Sequence, residues 1–333
     1  RPLMKAYQKP GFQPQENITV YSLPPVLPFF NKSRAINRLN QRRMARYVCE
    51  KMKEHGFEKP ILWVYSPVTV DAVDLIPHSA LVYDCVDRHS AYGGLMNPAQ
   101  VDAEELELAA KCSAVFATAA PLADRLRAAN EKTWFIPNGA NFERFFRASQ
   151  KLDAPEDMKN ILHPIVGFVG ALQPCIEYGF TADAAKAHPE WSFVWIGGEK
   201  PGADLAELKT LPNVHFLGIR PNEQLPEYLA QFDVCLNLFA KSDLSKDVSP
   251  LKFFEYLATG KPIVSTRQPD QILQYADSIH IADSADEFIR CCAEALCDTQ
   301  PARVQARIDE GRACSWDARV GEMCDILRRE NIL

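Results

Sequence analysis

Lys252 and Glu255 stand three positions apart in the otherwise apolar stretch SPLKFFEYLATGKPIVST, which runs from Ser249 to Thr266. On a helix that spacing puts both on one face. Ser249 suits an N-cap, Pro250 the first turn and Gly260 a left-handed stop, so the residues predict a helix over 250–259. The start of such a helix offers unsatisfied N–H groups and the positive end of its dipole, which together favour an anion. A lysine there adds charge. A carboxylate one turn on accepts hydrogen bonds from a pair of neighbouring hydroxyls, as in a ribose. The same spacing also describes a solvent-facing ion pair worth only about 0.2–0.5 kcal/mol.

A second constellation is ALVYDCVDRHSAY, where an apolar strand ends at Asp84 and is followed by Asp87, Arg88 and His89. Asp87 or His89 has the chemistry to take a proton from a hydroxyl. Asp84 fits a cap for the loop, and for all three a structural role fits as well. Thr118 opens TAAPLADRL as an N-cap, and Asn138–Gly139 in PNGAN reads as a tight turn. Gly170, Ala171 and Leu172 follow a strand and would let bare backbone approach a ligand. Arg220 leaves another strand in FLGIR, where a simple exit to a loop is the other reading.

These residues need elements to hold them. From residue 165 onward, short apolar runs alternate with amphipathic ones, the pattern of a doubly wound parallel α/β sheet. Strands are predicted over 165–169, 193–196, 214–216, 234–238, 263–265 and 279–281, and helices over 178–187, 204–210, 222–231, 250–259, 272–275 and 285–296. The first half alternates less cleanly. Its strands are predicted over 18–21, 61–65, 80–84, 115–117 and 134–136, and its helices over 35–53 and 103–110. RPLMKAYQKP has helix character, and a strand and loop are expected before it. The boundaries are residues 1–147 for a first α/β domain, 148–314 for a second, and 315–333 for a last helix, over 316–329, that returns to the first.

The chain has 333 residues, 47% apolar, with a net charge of −6, enough for two ordinary domains and without the basic field that nucleic-acid binding needs. Its ten cysteines show no C-x-x-C pair and no zinc spacing, and read as buried thiols of a reducing cytosol. No apolar run reaches the length of a membrane span. One local basic cluster exists. From Lys32 to Lys53 there are eight basic residues against Glu50 alone. As a helix it puts Ile36, Leu39, Met44, Tyr47, Val48 and Met52 on one side, which suits either a solvated face or docking on an anionic inner leaflet.

Four segments together carry a resemblance: PNVHFLGIRPNEQLPEYLAQFDVCLNLF, SPLKFFEYLATGKPIVST, VGFVGAL and IPNGANFERF. In this order they resemble the nucleotide-sugar glycosyltransferases of the GT-B fold, family 4 type, which are retaining enzymes of bacterial exopolysaccharide and teichuronic-acid-like synthesis. The resemblance implies two Rossmann-like domains facing across a cleft. It implies a nucleotide-sugar donor on the second domain and a saccharide or lipid-linked acceptor on the first, with no cofactor and no metal. Glu255 would then hold the ribose. Asp247, eight residues earlier and in place of the more common Glu, would contact the donor sugar. Ser249, Pro250, Leu251 and Lys252 would hold the diphosphate beside Gly170 and Ala171, with Arg220 near the base. The family's arginine and lysine beyond the glycine loop are missing from QPCIEYGF. Asp87 and His89 would stand near the reacting hydroxyl. A sugar-nucleotide epimerase or phosphorylase on the same fold, or a non-catalytic nucleotide-sugar-binding subunit, remains open at this point. A dinucleotide oxidoreductase lacks its G-x-G-x-x-G, and a metal-dependent transferase its D-x-D.

Overall fold

A computed structural model describes residues 11–91, 97–242 and 247–333, and the helix predicted over the first ten residues lies outside them. Packing divides the chain into Arg1–Phe135 with Ile326–Leu333, and Ile136–Asp325.

The first unit contains a parallel sheet in the order β3 (Ile61–Val64), β4 (Ala80–Cys85), β5 (Ala114–Ala117), β6 (Thr133–Phe135). Strand β4 is buried along its whole length, as a central parallel strand must be. The strand predicted over 18–21 does not join this sheet. Instead β1 (Phe12–Gln15) and β2 (Ile18–Val20) form an antiparallel pair of their own. NITVYSL alternates polar and apolar residues, whereas a parallel strand covered on both faces is apolar throughout, so the segment pairs locally. Helix α1 (Arg34–Glu54) turns inward a face of Asn37, Asn40, Gln41 and Ala45, and leaves Leu39 exposed. Of the apolar side expected of this helix, Val48 and Met52 pack against the core near Ala45, and Leu39 does not. The amides are satisfied where they go: Asn37 donates to the Val68 carbonyl at 2.7 Å, and Asn40 to that of Leu27 at 3.0 Å. Helix α2 (Val70–Val73) follows. Helix α3 (Pro98–Lys111) starts earlier than expected because Asn97 caps it, accepting from the Gln100 N–H at 3.3 Å. After α4 (Ala120–Arg127), the buried Glu105 holds β4 to its helices by accepting from the Tyr83 hydroxyl at 2.5 Å and pairing with Arg125.

The second unit begins with the short helix α5 (Phe142–Phe146). It is built on six parallel strands in the order β12 (His280–Ala282), β11 (Ile263–Thr266), β10 (Val234–Asn237), β7 (Ile165–Val169), β8 (Ser192–Ile196), β9 (Val214–Gly218). All six were expected within two residues of these bounds. Helices α6 (Gly179–Ala187), α7 (Leu225–Ala230), α8 (Leu251–Thr259) and α9 (Ala285–Cys297) cover the sheet. The helices expected over 204–210 and 272–275 are shorter or tighter, 3₁₀ turns at Leu208–Thr210 and Asp270–Tyr275. Helix α10 (Pro301–Ala313) is an addition, and α11 (Trp316–Arg329) has the expected bounds.

Helix α10 fixes α8 from behind. Arg307 is fully buried, and its guanidinium donates to the Gly260 carbonyl at 2.9 Å and to the Asp298 carboxylate at 2.8 Å. Four residues on, a Cβ at Gly311 would fall 2.5 Å from the Ala258 nitrogen and 2.7 Å from its Cα. Alanine normally favours a helix over glycine by about 1 kcal/mol. Here both obstructing atoms are backbone, so Gly311→Ala should reverse that sign and destabilise by about 1–3 kcal/mol. Urea unfolding of the two proteins checks this, and a stabilised variant would refute the close helix contact.

Candidate nucleotide-sugar site

Helix α8 is anchored at both ends. Its N-cap is Pro250 in an extended conformation, so Ser249 does not cap it as predicted. Ser249 is used otherwise: its hydroxyl oxygen accepts from the Asn138 N–H at 3.0 Å, and its carbonyl accepts from the Asn138 amide at 2.8 Å. PNGAN is thus a brace for the helix start as well as a turn. The stop at Gly260, φ +72°, is as predicted. Phe253, Phe254, Tyr256, Leu257 and Ala258 are buried, whereas Leu251 is exposed. The Tyr256 hydroxyl accepts from the Val169 N–H at 2.8 Å. That bond ties α8 to the last residue of β7, immediately before Gly170.

At this carboxyl edge two loops touch through glycine. Gly170 has φ +148° and Gly197 φ +152°, and a Cβ on Gly197 would fall 1.8 Å from the Gly170 carbonyl oxygen. The contact is closed by Gly170 N–H to the Ile196 carbonyl at 2.8 Å and Leu172 N–H to that of Gly198 at 2.9 Å. Gly197 was not singled out from the sequence, although a Gly-Gly pair ending the apolar run SFVWI is a visible signal. Lys252 comes to the same place. A Cβ on Gly170 would lie 3.4 Å from its Cε and 3.5 Å from its Nζ. Its ammonium sits 4.3 Å from the centroid of Phe168 and 4.8 Å from that of Phe239, a cation–π setting. The structure thus brings together Gly170, Ala171, Lys252 and the start of α8, whose first N–H groups have no acceptor within the helix.

Lys252 and Glu255 do not form the surface ion pair that their spacing permits. Among the described residues neither has a hydrogen-bonded or ion-paired side-chain partner, whereas Lys51–Glu54 at 2.8 Å and Glu156–Lys159 at 2.5 Å do pair at this spacing. Both groups are half-buried. Burial lowers the Lys252 ammonium to about 8 and lifts the Glu255 carboxyl to about 7, the latter opposed by the positive charges of Lys252 and Arg144. Arg144, on α5, is a further cation in the field of Glu255 that the sequence reading passed over.

The remaining candidates lie as follows. Arg220 is engaged by Asp157 and donates to the Tyr228 hydroxyl at 2.7 Å, so its charge is already met. Asp247 is buried in the turn ahead of α8, where the Gln271 amide donates to the Val248 carbonyl. In the first unit, Asp87 and His89 follow the carboxyl end of β4 and are half-buried. Asp84 is buried and accepts from the Trp63 indole at 3.3 Å, and burial raises its carboxyl. Thr118 is not the expected cap, since α4 begins from Ala119. Its hydroxyl donates to the Val86 carbonyl at 2.8 Å and pins the loop that carries Asp87.

Residues 163–298 match the family Glycosyl transferases group 1. The chain is 27% identical over 263 residues, 72% of its length, to a Bacillus subtilis (strain 168) protein assigned to teichuronic acid biosynthesis as the glycosyltransferase TuaH, and the match spans 64% of that relative. Among solved structures it resembles Anabaena Alr3699/HepE in complex with UDP, with TM-score 0.66, 16% identity, and 87% of this chain and 84% of that one covered. It also resembles the sucrose-phosphate synthase of Thermosynechococcus elongatus, with TM-score 0.66, 17% identity and coverage of 97% and 86%. These likenesses establish the GT-B fold.

The two shifted groups leave opposite marks on stability. Glu255 moves from 4.5 unfolded to about 7 folded, so its contribution is complete below 4.5 and is lost as pH rises through 7. Lys252 moves from 10.5 down to about 8, so stability rises with pH between those values. Denaturant unfolding at a series of pH values should show the first slope shallower in Glu255→Gln and the second shallower in Lys252→Met. Slopes unchanged from wild type would mean that neither group is held in a desolvated state.

Proposed function

We propose, from the group 1 match over residues 163–298 and the GT-B fold, that the chain transfers a sugar from a UDP- or GDP-linked donor to a saccharide or lipid-linked acceptor. The observation that carries this reading is the placement of the Lys252 ammonium against Gly170 at the start of α8, with Glu255 one turn further on and, among the described residues, no hydrogen-bonded or ion-paired side chain for either. A diphosphate fits the first pair and a ribose diol fits the carboxylate.

In this reading Lys252 and the N–H groups of Leu251 and Lys252 stabilise charge as it develops on the departing nucleoside diphosphate, the task a metal performs in other transferases. The reaction is assigned as metal-independent and retaining. Asp247 contacts donor-sugar hydroxyls, and Gly170 and Ala171 let the diphosphate approach the backbone. Asp87 and His89 are assigned to the acceptor hydroxyl, with Asp87 taking its proton. Arg220 serves through its bond to Tyr228, shaping the exit of β9 near the base. Among the described residues no helix is long and apolar enough to cross a membrane. A lipid-linked acceptor would place the protein in the cytoplasm at the inner face of a membrane, consistent with polysaccharide synthesis. UDP appears in the complex of one structural neighbour, and makes uridine the first base to try.

Thermal-shift titration with UDP, GDP, their glucose conjugates and free uridine tests the assignment. Glu255→Ala should bind nucleotide and nucleoside alike about 10- to 100-fold more weakly, the loss of hydrogen bonds to a charged group. Lys252→Ala should weaken the diphosphates by a similar factor and leave the nucleoside unchanged. No stabilisation of wild type by any nucleotide would refute the donor site. Binding without turnover, with membrane lipid supplied, would favour a non-catalytic subunit.

A further inference from the structure

The face of α1 that points away from the first unit is the arginine side its sequence suggests, joined by Leu39. Asn37, Asn40, Gln41 and Ala45 face inward, so Leu39, Arg42, Arg43 and Arg46, on the opposite side of the same turns, face out, and all four are exposed. The preceding segment is strapped along this helix. The Asn40 side chain bonds both backbone groups of Leu27, accepting from its N–H at 2.8 Å and donating to its carbonyl at 3.0 Å, and Arg43 donates to the Pro25 carbonyl at 3.3 Å. Phe29 adopts the left-handed conformation, φ +65°, which L-residues rarely take, and its carbonyl closes the turn into α1 by accepting from Lys32 and Ser33. With the strap's backbone satisfied by the helix, its side chains point elsewhere. Leu23, Val26, Leu27 and Phe29, with Leu39, are 43 to 57% exposed.

The cations of this surface are sorted as well. Arg34 and Arg38 are neutralised by Asp71, and Arg34 also by Glu107. Among the described residues Arg42 and Arg46 have no ion pair. Beside them opens a shallow cavity of about 440 Å³, lined by Arg42, Ala45, Arg46, Cys49, Glu50 and the exposed Leu75. Pinned apolar side chains interleaved with unpaired arginines, on a chain whose net charge is −6, match a surface that is anionic at the phosphates and apolar just beneath.

We propose that the strap and the outer face of α1 together form a docking surface for an anionic lipid bilayer, with Leu23, Val26, Leu27, Phe29 and Leu39 entering the acyl boundary and Arg42, Arg43 and Arg46 meeting lipid phosphates. The proposal deepens the acceptor half of the proposed reaction and rests on it for its purpose. The binding itself needs no nucleotide.

Co-sedimentation with phosphatidylcholine vesicles, with and without phosphatidylglycerol, tests it. Wild type should bind the anionic vesicles only, and less as salt is raised. Arg42→Ala/Arg46→Ala should bind about 30-fold more weakly. Val26→Ser/Leu27→Ser should lose the fraction of binding that survives high salt. Thermal unfolding shows that each variant is folded, and nucleotide stabilisation measured on the same samples separates this proposal from the donor site. Wild type that ignores anionic vesicles, or arginine variants that bind as wild type does, overturns it. So does equal binding to neutral vesicles.

Discussion

The second unit depends on a contact in which no side chain takes part. The Gly170 carbonyl oxygen lies where the Cβ of any other residue at position 197 would have to be, 1.8 Å away. Two adjacent parallel strands, β7 and β8, therefore end in loops that can close on each other only through glycine. Because that edge is closed, bare backbone rather than side chains faces the start of α8, and the Lys252 ammonium can lie against it. The Tyr256 bond to Val169 and the Asn138 bonds to Ser249 hold the helix at the depth this contact requires.

The electrostatics follow from that rigidity. A lysine and a glutamate three residues apart on a free helix would meet in water and contribute little. Here the ammonium is drawn over two aromatic faces, and the half-buried carboxylate has no donor among the described residues. Both groups are displaced from their ordinary pKa values in the direction that desolvation dictates. Two desolvated, opposite charges on one face that do not pair with each other mark a functional-site candidate. The buried Arg307 and the close α8–α10 approach at Gly311 stiffen the helix that bears them.

How much of this was legible varies by element. All six strands of the second sheet were readable because parallel strands are continuous apolar runs. Helix α10 was not, because PARVQARIDEGRA is mostly polar and its one fully buried charge, Arg307, has its partners at Gly260 and Asp298, 47 and 9 residues away. In the first unit the apolar residues of α1 are split, with Val48 and Met52 packed against the core and Leu39 exposed. The buried amides of Asn37 and Asn40 win because the carbonyls of Val68 and Leu27 await them, and no local pattern discloses those acceptors. Ser249 and Thr118 were good caps by residue type, and both hydroxyls instead bond to segments distant in sequence.

The sequence by itself determined the α/β class, the position of helix α8 with its glycine stop, and the residue types able to meet a nucleotide sugar, since periodicity and capping are local properties. Only the tertiary structure decided that Lys252 and Glu255 stay apart, that Arg220 is occupied by Asp157, and that Gly197 is a position where no side chain fits. Each of these turns on a neighbour tens of residues away, brought close by the sheet, and charge, burial and steric room at one residue are set by such neighbours.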